Sequence, residues 1–181
     1  MSAIDGSTTL RELAFIVGEA LYAAGINAVL SGGGAATFYA PEAYQSGDLD
    51  FVLDFWSSHG INDAPILALG FVKRAQQYGH PNTIYTLDIV LGPVAIGNDD
   101  KVGCVTVIEN GKRLRILSPT DCVRDRLAHF ISWKDHSGLR SAVAVAVRHE
   151  VDFRAIRSWC ESERSLEPYL VFMDWYVRAK S

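Results

Sequence analysis

Two aspartates separated by one residue, in Asp48-Leu49-Asp50-Phe51-Val52, carry the clearest chemical signal in the chain. On a β-strand, side chains two apart share a face, so Asp48 and Asp50 project together while Leu49 and Phe51 turn toward a core. Neighbouring carboxylates raise each other's pKa unless a cation neutralises them. Hard oxygen donors suit Mg²⁺, which takes few protein carboxylates and completes its shell with water and phosphate oxygens. Upstream stands Ser31-Gly32-Gly33-Gly34, where bare backbone can approach an anion closely. Each feature alone has an ordinary explanation, a tight turn or a solvated strand face. Together they imply a magnesium-dependent site that handles a nucleotide.

The flanking elements must place these groups. Asn27 to Leu30 is a short apolar strand running into the glycines, and Ala35 to Tyr39 opens a helix after them. Strand, glycine turn and helix bring N–H groups and a positive helix end toward an anion. Before them, Leu10, Leu13, Ala14, Val17, Ala20 and Leu21 recur at helical spacing, so Thr8 to Ala24 is an amphipathic helix capped by Thr8 or Thr9, closed by Gly25 and packed on the sheet. Asp48 to Phe55 is the second strand, Asp63 to Leu69 a helix stopped by Gly70, Phe71 the start of a third strand, and Thr83 to Leu91 a β-branched and aromatic strand. Val102 to Glu109 and Lys112 to Leu117 flank Asn110-Gly111, a strong hairpin signal. From Ser118-Pro119 onward the pattern is helical, with segments at Leu139 to Arg148, Asp152 to Glu161 and Leu166 to Lys180. The predicted fold class is α/β (α+β), a small mixed sheet flanked by helices. The predicted division is an α/β core over 1–117 and a helical portion over 118–181.

Composition bounds the function. The 181 residues are 49% hydrophobic and 21% charged, the ordinary globular range, and the net charge of −4 argues against a dedicated nucleic-acid scaffold while leaving room for a local basic patch. Cys104, Cys122 and Cys160 are odd in number and widely spaced, which supports neither a disulfide framework nor a zinc site. They read as reduced, mostly buried thiols of a cytoplasmic protein. No secretory leader and no membrane-spanning run is expected.

A third carboxylate, Asp88 in Leu87-Asp88-Ile89-Val90, lies in an apolar strand where an ionised group needs a partner or an exposed strand end. If that strand neighbours the one carrying Asp48 and Asp50, a spacing of about 4.8 Å lets all three converge on shared metal. Asp54, Asp99 and Asp100 are rivals for the role.

A glycine turn after a strand, Asp-x-Asp on the next strand and one carboxylate on a later strand resemble the polymerase-β-like nucleotidyltransferase superfamily. Within it, Leu30 to Ala36 and Ser46-Gly47-Asp48-Leu49-Asp50-Phe51 look most like nucleotidyltransferase toxins of the AbiEii type, with a looser likeness from Ser118 to Asp135. The resemblance implies Mg²⁺ and a nucleoside triphosphate, with Ser31, Gly32 and Gly33 against the triphosphate. It further implies Asp48 and Asp50 as metal ligands and Asp88 as third ligand or general base. It places the chain in a toxin–antitoxin or phage-defence pair, with RNA, tRNA among the candidates, as favoured acceptor and an antitoxin as partner. The alternatives are a catalytically inactive nucleotide-binding module and a transferase acting on a small molecule such as an antibiotic.

Arg124, Arg126, Lys134 and Arg140 could reach phosphates, Arg126 and Lys134 being the nucleotide-binding candidates; the ordinary reading is a helix surface with ion pairs to Asp121, Asp125 and Asp135. Arg124 and His129 match the Arg-x-x-x-x-His spacing of HEPN ribonucleases, a pattern frequent by chance. His59, His80, His136 and His149 share no metal spacing, Ser57-Ser58-His59 reads as a loop, and Trp133 is expected to pack in a core or between domains.

Overall fold

The computed structural model describes residues 4–53, 62–163 and 165–181. Helix α1 (Leu10–Ala23) opens on a capping box: Thr9 accepts from the Glu12 N–H and the Glu12 carboxylate accepts from the Thr9 N–H. Strand β1 (Ala28–Ser31) runs directly into α2 (Gly32–Tyr39), so the glycines form the first turn of the helix and no separate turn precedes it. Strand β2 (Asp48–Leu53) follows, then α3 (Ala64–Ala68), β3 (Val72–Arg74), β4 (Gln77–Gly79) and β5 (Thr86–Leu91). The hairpin of β6 (Cys104–Glu109) and β7 (Lys112–Leu117) turns at Asn110 and Gly111, both at positive φ as a two-residue hairpin turn requires. Four helices complete the chain: α4 (Pro119–Trp133), α5 (His136–Arg148), α6 (Phe153–Ser162) and α7 (Glu167–Lys180).

The seven strands form one mixed sheet in the order β3-β4-β5-β2-β1-β7-β6. Strand β2 pairs antiparallel with β1 and parallel with β5, which sets Asp50 opposite Ser31 on one side and opposite Asp88 on the other. Alternation sorts the faces: Leu49, Phe51 and Leu53 are buried, and Asp48, Asp50 and Val52 are half-buried on the other face. Helix α1 packs on β1 and β7, α2 packs on β1 and β2, and α4 and α5 close over α2. Tyr39 ties this stack together, its hydroxyl donating to the Leu117 carbonyl (2.6 Å) while its own carbonyl meets His149 Nε2 (2.7 Å).

The segment between β5 and β6 is stapled to the helices. Asp121 accepts from the Gly103 N–H (2.8 Å) and Ser118 Oγ (2.9 Å), and Arg124 bridges Asp121 and Asp99. Trp159 Nε1 donates to the Ile96 carbonyl (3.2 Å). These are buried or half-buried pairs and not the surface pairs expected of α4. Trp133 is a second correction: it ends α4 just before the left-handed Lys134 and is 75% exposed. Strand β4, Gln-Tyr-Gly, is three residues long, too short for its alternation to stand out in the sequence. Cys122 and Cys160 are buried and Cys104 is half-buried. Among the described residues no helix is long and apolar enough to cross a membrane. Asp54, Phe55 and the Ser57-Ser58-His59 stretch lie outside the described residues.

Candidate active site

The parallel pairing of β2 with β5 brings Asp48, Asp50 and Asp88 to one point on the face opposite the core. Each offers a carboxylate oxygen, and these oxygens lie within 4.8 Å of one another. Two of the three are held by hydrogen bonds: Ser46 Oγ donates to Asp48 Oδ1 (2.6 Å) and Gln77 Nε2 donates to Asp88 Oδ2 (2.9 Å). Asp50 lies between them. Burial, then the charges of Asp48 and Asp88, push its pKa up to about 6, with Arg126 pulling the other way. A cluster that strains one of its own carboxylates toward protonation is one that a divalent cation would relieve. The donor set, three hard oxygens with open faces, fits Mg²⁺.

Beside the carboxylates stands the N-terminus of α2. Ser31 is the N-cap residue, yet it makes no side-chain cap bond to the first turn, whose N–H groups and helix dipole favour an anion. Gly32 adopts φ +64°, and a β-carbon there would come within 2.9 Å of Asp50 Cγ. A β-carbon on Gly33 would come 2.7 Å from Ser46 Oγ and 3.1 Å from the Tyr44 hydroxyl. Two hydroxyls therefore roof the glycine turn. Ser46 is itself fixed by its N–H donating to Thr37 Oγ1 (2.8 Å), one turn further along α2.

Helix α4 adds a cation. Arg126 is buried, and one oxygen of Asp125 accepts from both its Nε (3.0 Å) and Nη2 (2.8 Å). Burial opposes the guanidinium's charge, and Asp125 outweighs that cost. The Arg126 charge acts against the rise in the Asp50 pKa.

The remaining sequence candidates separate. Arg124 is consumed by Asp121 and Asp99 and lies against the Trp159 ring, which also removes Asp99 from the metal cluster and fixes Arg124 away from an Arg-His pairing with His129. Lys134 is exposed at the C-cap of α4, eight residues past Arg126 and therefore about 12 Å further along the helix axis. Arg140 lines a groove with Trp175 and Arg178 between α5 and α7. Sequence reading missed Ser46, Tyr44, Gln77 and Asp125. Ser46 had a signal, its place two residues before Asp48; Gln77 had none, since its role depends on which strand pairs with β5.

No protein-family model and no curated protein matches the sequence. Among solved structures the chain is similar to an antigenic nucleotidyltransferase-like protein from Paracoccidioides brasiliensis, with a TM-score of 0.57 and 17% identity over 79% of this chain and 78% of that one. It is also similar to the antibiotic-resistance factor ANT(2'')-Ia in two structures, each at a TM-score of 0.48 over 96% of this chain. The solution structure is 13% identical over 94% of its own chain, and the complex with adenylyl-2''-tobramycin 14% over 100%. The first of these likenesses is one of fold: the chain shares the fold of that nucleotidyltransferase-like protein and carries a cluster of three carboxylates at Asp48, Asp50 and Asp88.

Proposed function

We propose that the chain is a magnesium-dependent nucleotidyltransferase that moves a nucleoside monophosphate from a nucleoside triphosphate to an acceptor hydroxyl and releases pyrophosphate. The observation that carries this reading is the convergence of three carboxylates beside an uncapped helix N-terminus. Asp48, Asp50 and Asp88 would hold Mg²⁺, which when bound neutralises triphosphate charge and polarises the reacting phosphorus. Ser31 and the N–H groups of Gly32 and Gly33 take the β- and γ-phosphates, and Arg126 supplies compensating charge from above. The acceptor oxygen forms a bond to the α-phosphorus as the bond to pyrophosphate breaks, and the hydroxyl proton passes to Asp88, whose other oxygen Gln77 holds. Lys134, exposed at the far end of α4, fits a role on an extended substrate better than on the nucleotide itself.

The motif likeness to AbiEii-type toxins supports a setting in a toxin–antitoxin or phage-defence pair, with RNA or tRNA as acceptor and an antitoxin protein as partner. The test is incubation with Mg²⁺ and each α-labelled triphosphate in turn, with cellular RNA, protein or a small-molecule extract as acceptor. Label transfer and pyrophosphate release by the native chain, both absent in Asp48→Asn/Asp50→Asn, establish the reaction. Failure of all four triphosphates to bind or to release pyrophosphate would refute it.

A further inference from the structure

The carboxylates belong to a longer row. Register partners across five adjacent strands are Ser31 on β1, Asp50 on β2, Asp88 on β5, Gln77 on β4 and Arg74 on β3. Register partners point to the same face of a sheet, so Arg74 shares the face that carries the carboxylates, two strands and roughly 10 Å beyond Asp88. Its side chain runs over Gly79, with Cδ and Nε 3.9 Å from where a β-carbon on that glycine would stand. Arg74 is exposed and, among the described residues, has no hydrogen bond or ion pair. Val72 and Val90, on the same face, are 55% and 49% exposed. Between Asp63 and Asp88 the sequence contains no acidic residue.

In-line displacement assigns a use to this open strip. Phosphoryl transfer sets the attacking and leaving oxygens on opposite sides of the phosphorus. With pyrophosphate leaving toward the N-terminus of α2, the acceptor hydroxyl must enter from the other end of the row, over β5, β4 and β3. We propose that this strip is the acceptor platform and that Arg74 binds a phosphate of the acceptor, so the acceptor is a phosphate-bearing molecule and not a polycationic one. The inference rests on the transferase reading for the direction of entry. Gln77, exposed on β4, serves as a positioning residue, its amide tied to Asp88. A polyamine sugar would meet a lone guanidinium here instead of the carboxylates that its ammonium groups require.

Binding by the full chain tests the proposal. Three probes are titrated in turn: a fluorescent single-stranded RNA ten-mer, ribose 5-phosphate and an aminoglycoside. Binding of Mg²⁺·ATP and the other triphosphates is measured separately. Arg74→Glu should weaken RNA or ribose 5-phosphate binding about tenfold and lower the salt slope of RNA binding by about one. Arg74→Lys should restore most of the affinity, and triphosphate binding should stay unchanged in both variants. Stronger binding of the ten-mer than of the sugar phosphate names RNA as the source of the phosphate, and the reverse names a small phosphorylated acceptor. Equal affinity of native chain and Arg74→Glu for both phosphate probes, or aminoglycoside binding that tightens in Arg74→Glu, would overturn the proposal. Loss of triphosphate binding with Arg74-dependent RNA binding retained would remove the transferase reading and leave the platform in place.

Discussion

Gly32 and Asp50 interlock: the space that a side chain at position 32 would fill is taken by the Asp50 carboxylate, and Gly32 itself holds a left-handed φ of +64°. Gly32→Ala therefore meets two penalties, the left-handed backbone, about 1–2 kcal/mol, and displacement of a metal-ligand candidate. We expect its melting temperature to fall by several degrees and transfer to drop at least a hundredfold. Gly47→Ala, where a β-carbon meets nothing within 4 Å, should keep both within a few-fold of native. Transfer retained in Gly32→Ala would show that Asp50 does not need its observed position.

Asp50 titrates against the fold. Its pKa in the folded chain is raised to about 6 from an ordinary 3.8 by burial and by Asp48 and Asp88, so the metal-free chain is most stable while Asp50 is protonated and loses that stability as pH rises from about 4 through 6. Two pH units correspond to on the order of 3 kcal/mol. Without metal, Asp50→Asn should then be more stable than native at pH 8 in urea unfolding, with the gain vanishing below pH 4. Saturating Mg²⁺ should stabilise the native chain and not the variant, and transfer should decline as pH falls below about 6. An Asp50→Asn chain less stable than native at pH 8 would contradict the electrostatic account of the cluster.

Buried Arg126 and half-buried Asp125 form one unit, and removing one partner strands the other. Arg126→Met should cost about 3 kcal/mol through the uncompensated Asp125 charge and raise the triphosphate KM at least tenfold. Asp125→Asn leaves a hydrogen-bond acceptor for the guanidinium and should act mainly on KM, by a few-fold. Arg126→Lys cannot reproduce two donors on one oxygen and should behave closer to Arg126→Met than to native. Unchanged triphosphate affinity in all three, measured calorimetrically, would confine the pair to a structural role.

How far the sequence disclosed this site depends on the range of each contact. Asp48 and Asp50 declared themselves because the two-residue period of a strand is local, and Asp88 because an ionisable group in an apolar strand needs a reason. Whether those two strands touch is a matter of sheet order, and the parallel β2–β5 register of Asp50 with Asp88 is written in no short window. The same limit hid Gln77, whose three-residue strand is held by pairing with β5 on one side and β3 on the other. It also inverted the reading of α4, whose alternating charges look like a solvated surface but fold inward, Arg124 to a loop and Arg126 toward the carboxylates. Trp133, apolar and expected inside, follows its position at a helix end and not its hydropathy.

The Arg124 staple separates stability from chemistry. Arg124 joins Asp121 at the start of α4 to Asp99 in the segment after β5, and Asp121 also caps Gly103. Among the described residues, none of Asp48, Asp50 and Asp88 is bonded to this network. Arg124→Ala leaves two carboxylates without their shared cation, one of them buried, which should destabilise the chain by about 3 kcal/mol. Arg124→Ala/Asp121→Ala should recover part of that loss, since the buried charge left behind is gone. Mg²⁺ and triphosphate affinities measured well below the melting temperature should match native in both. A triphosphate KM that rises in proportion to the stability loss would mean instead that the segment after β5 holds Asp88 in place, and that the staple acts on the site through that strand.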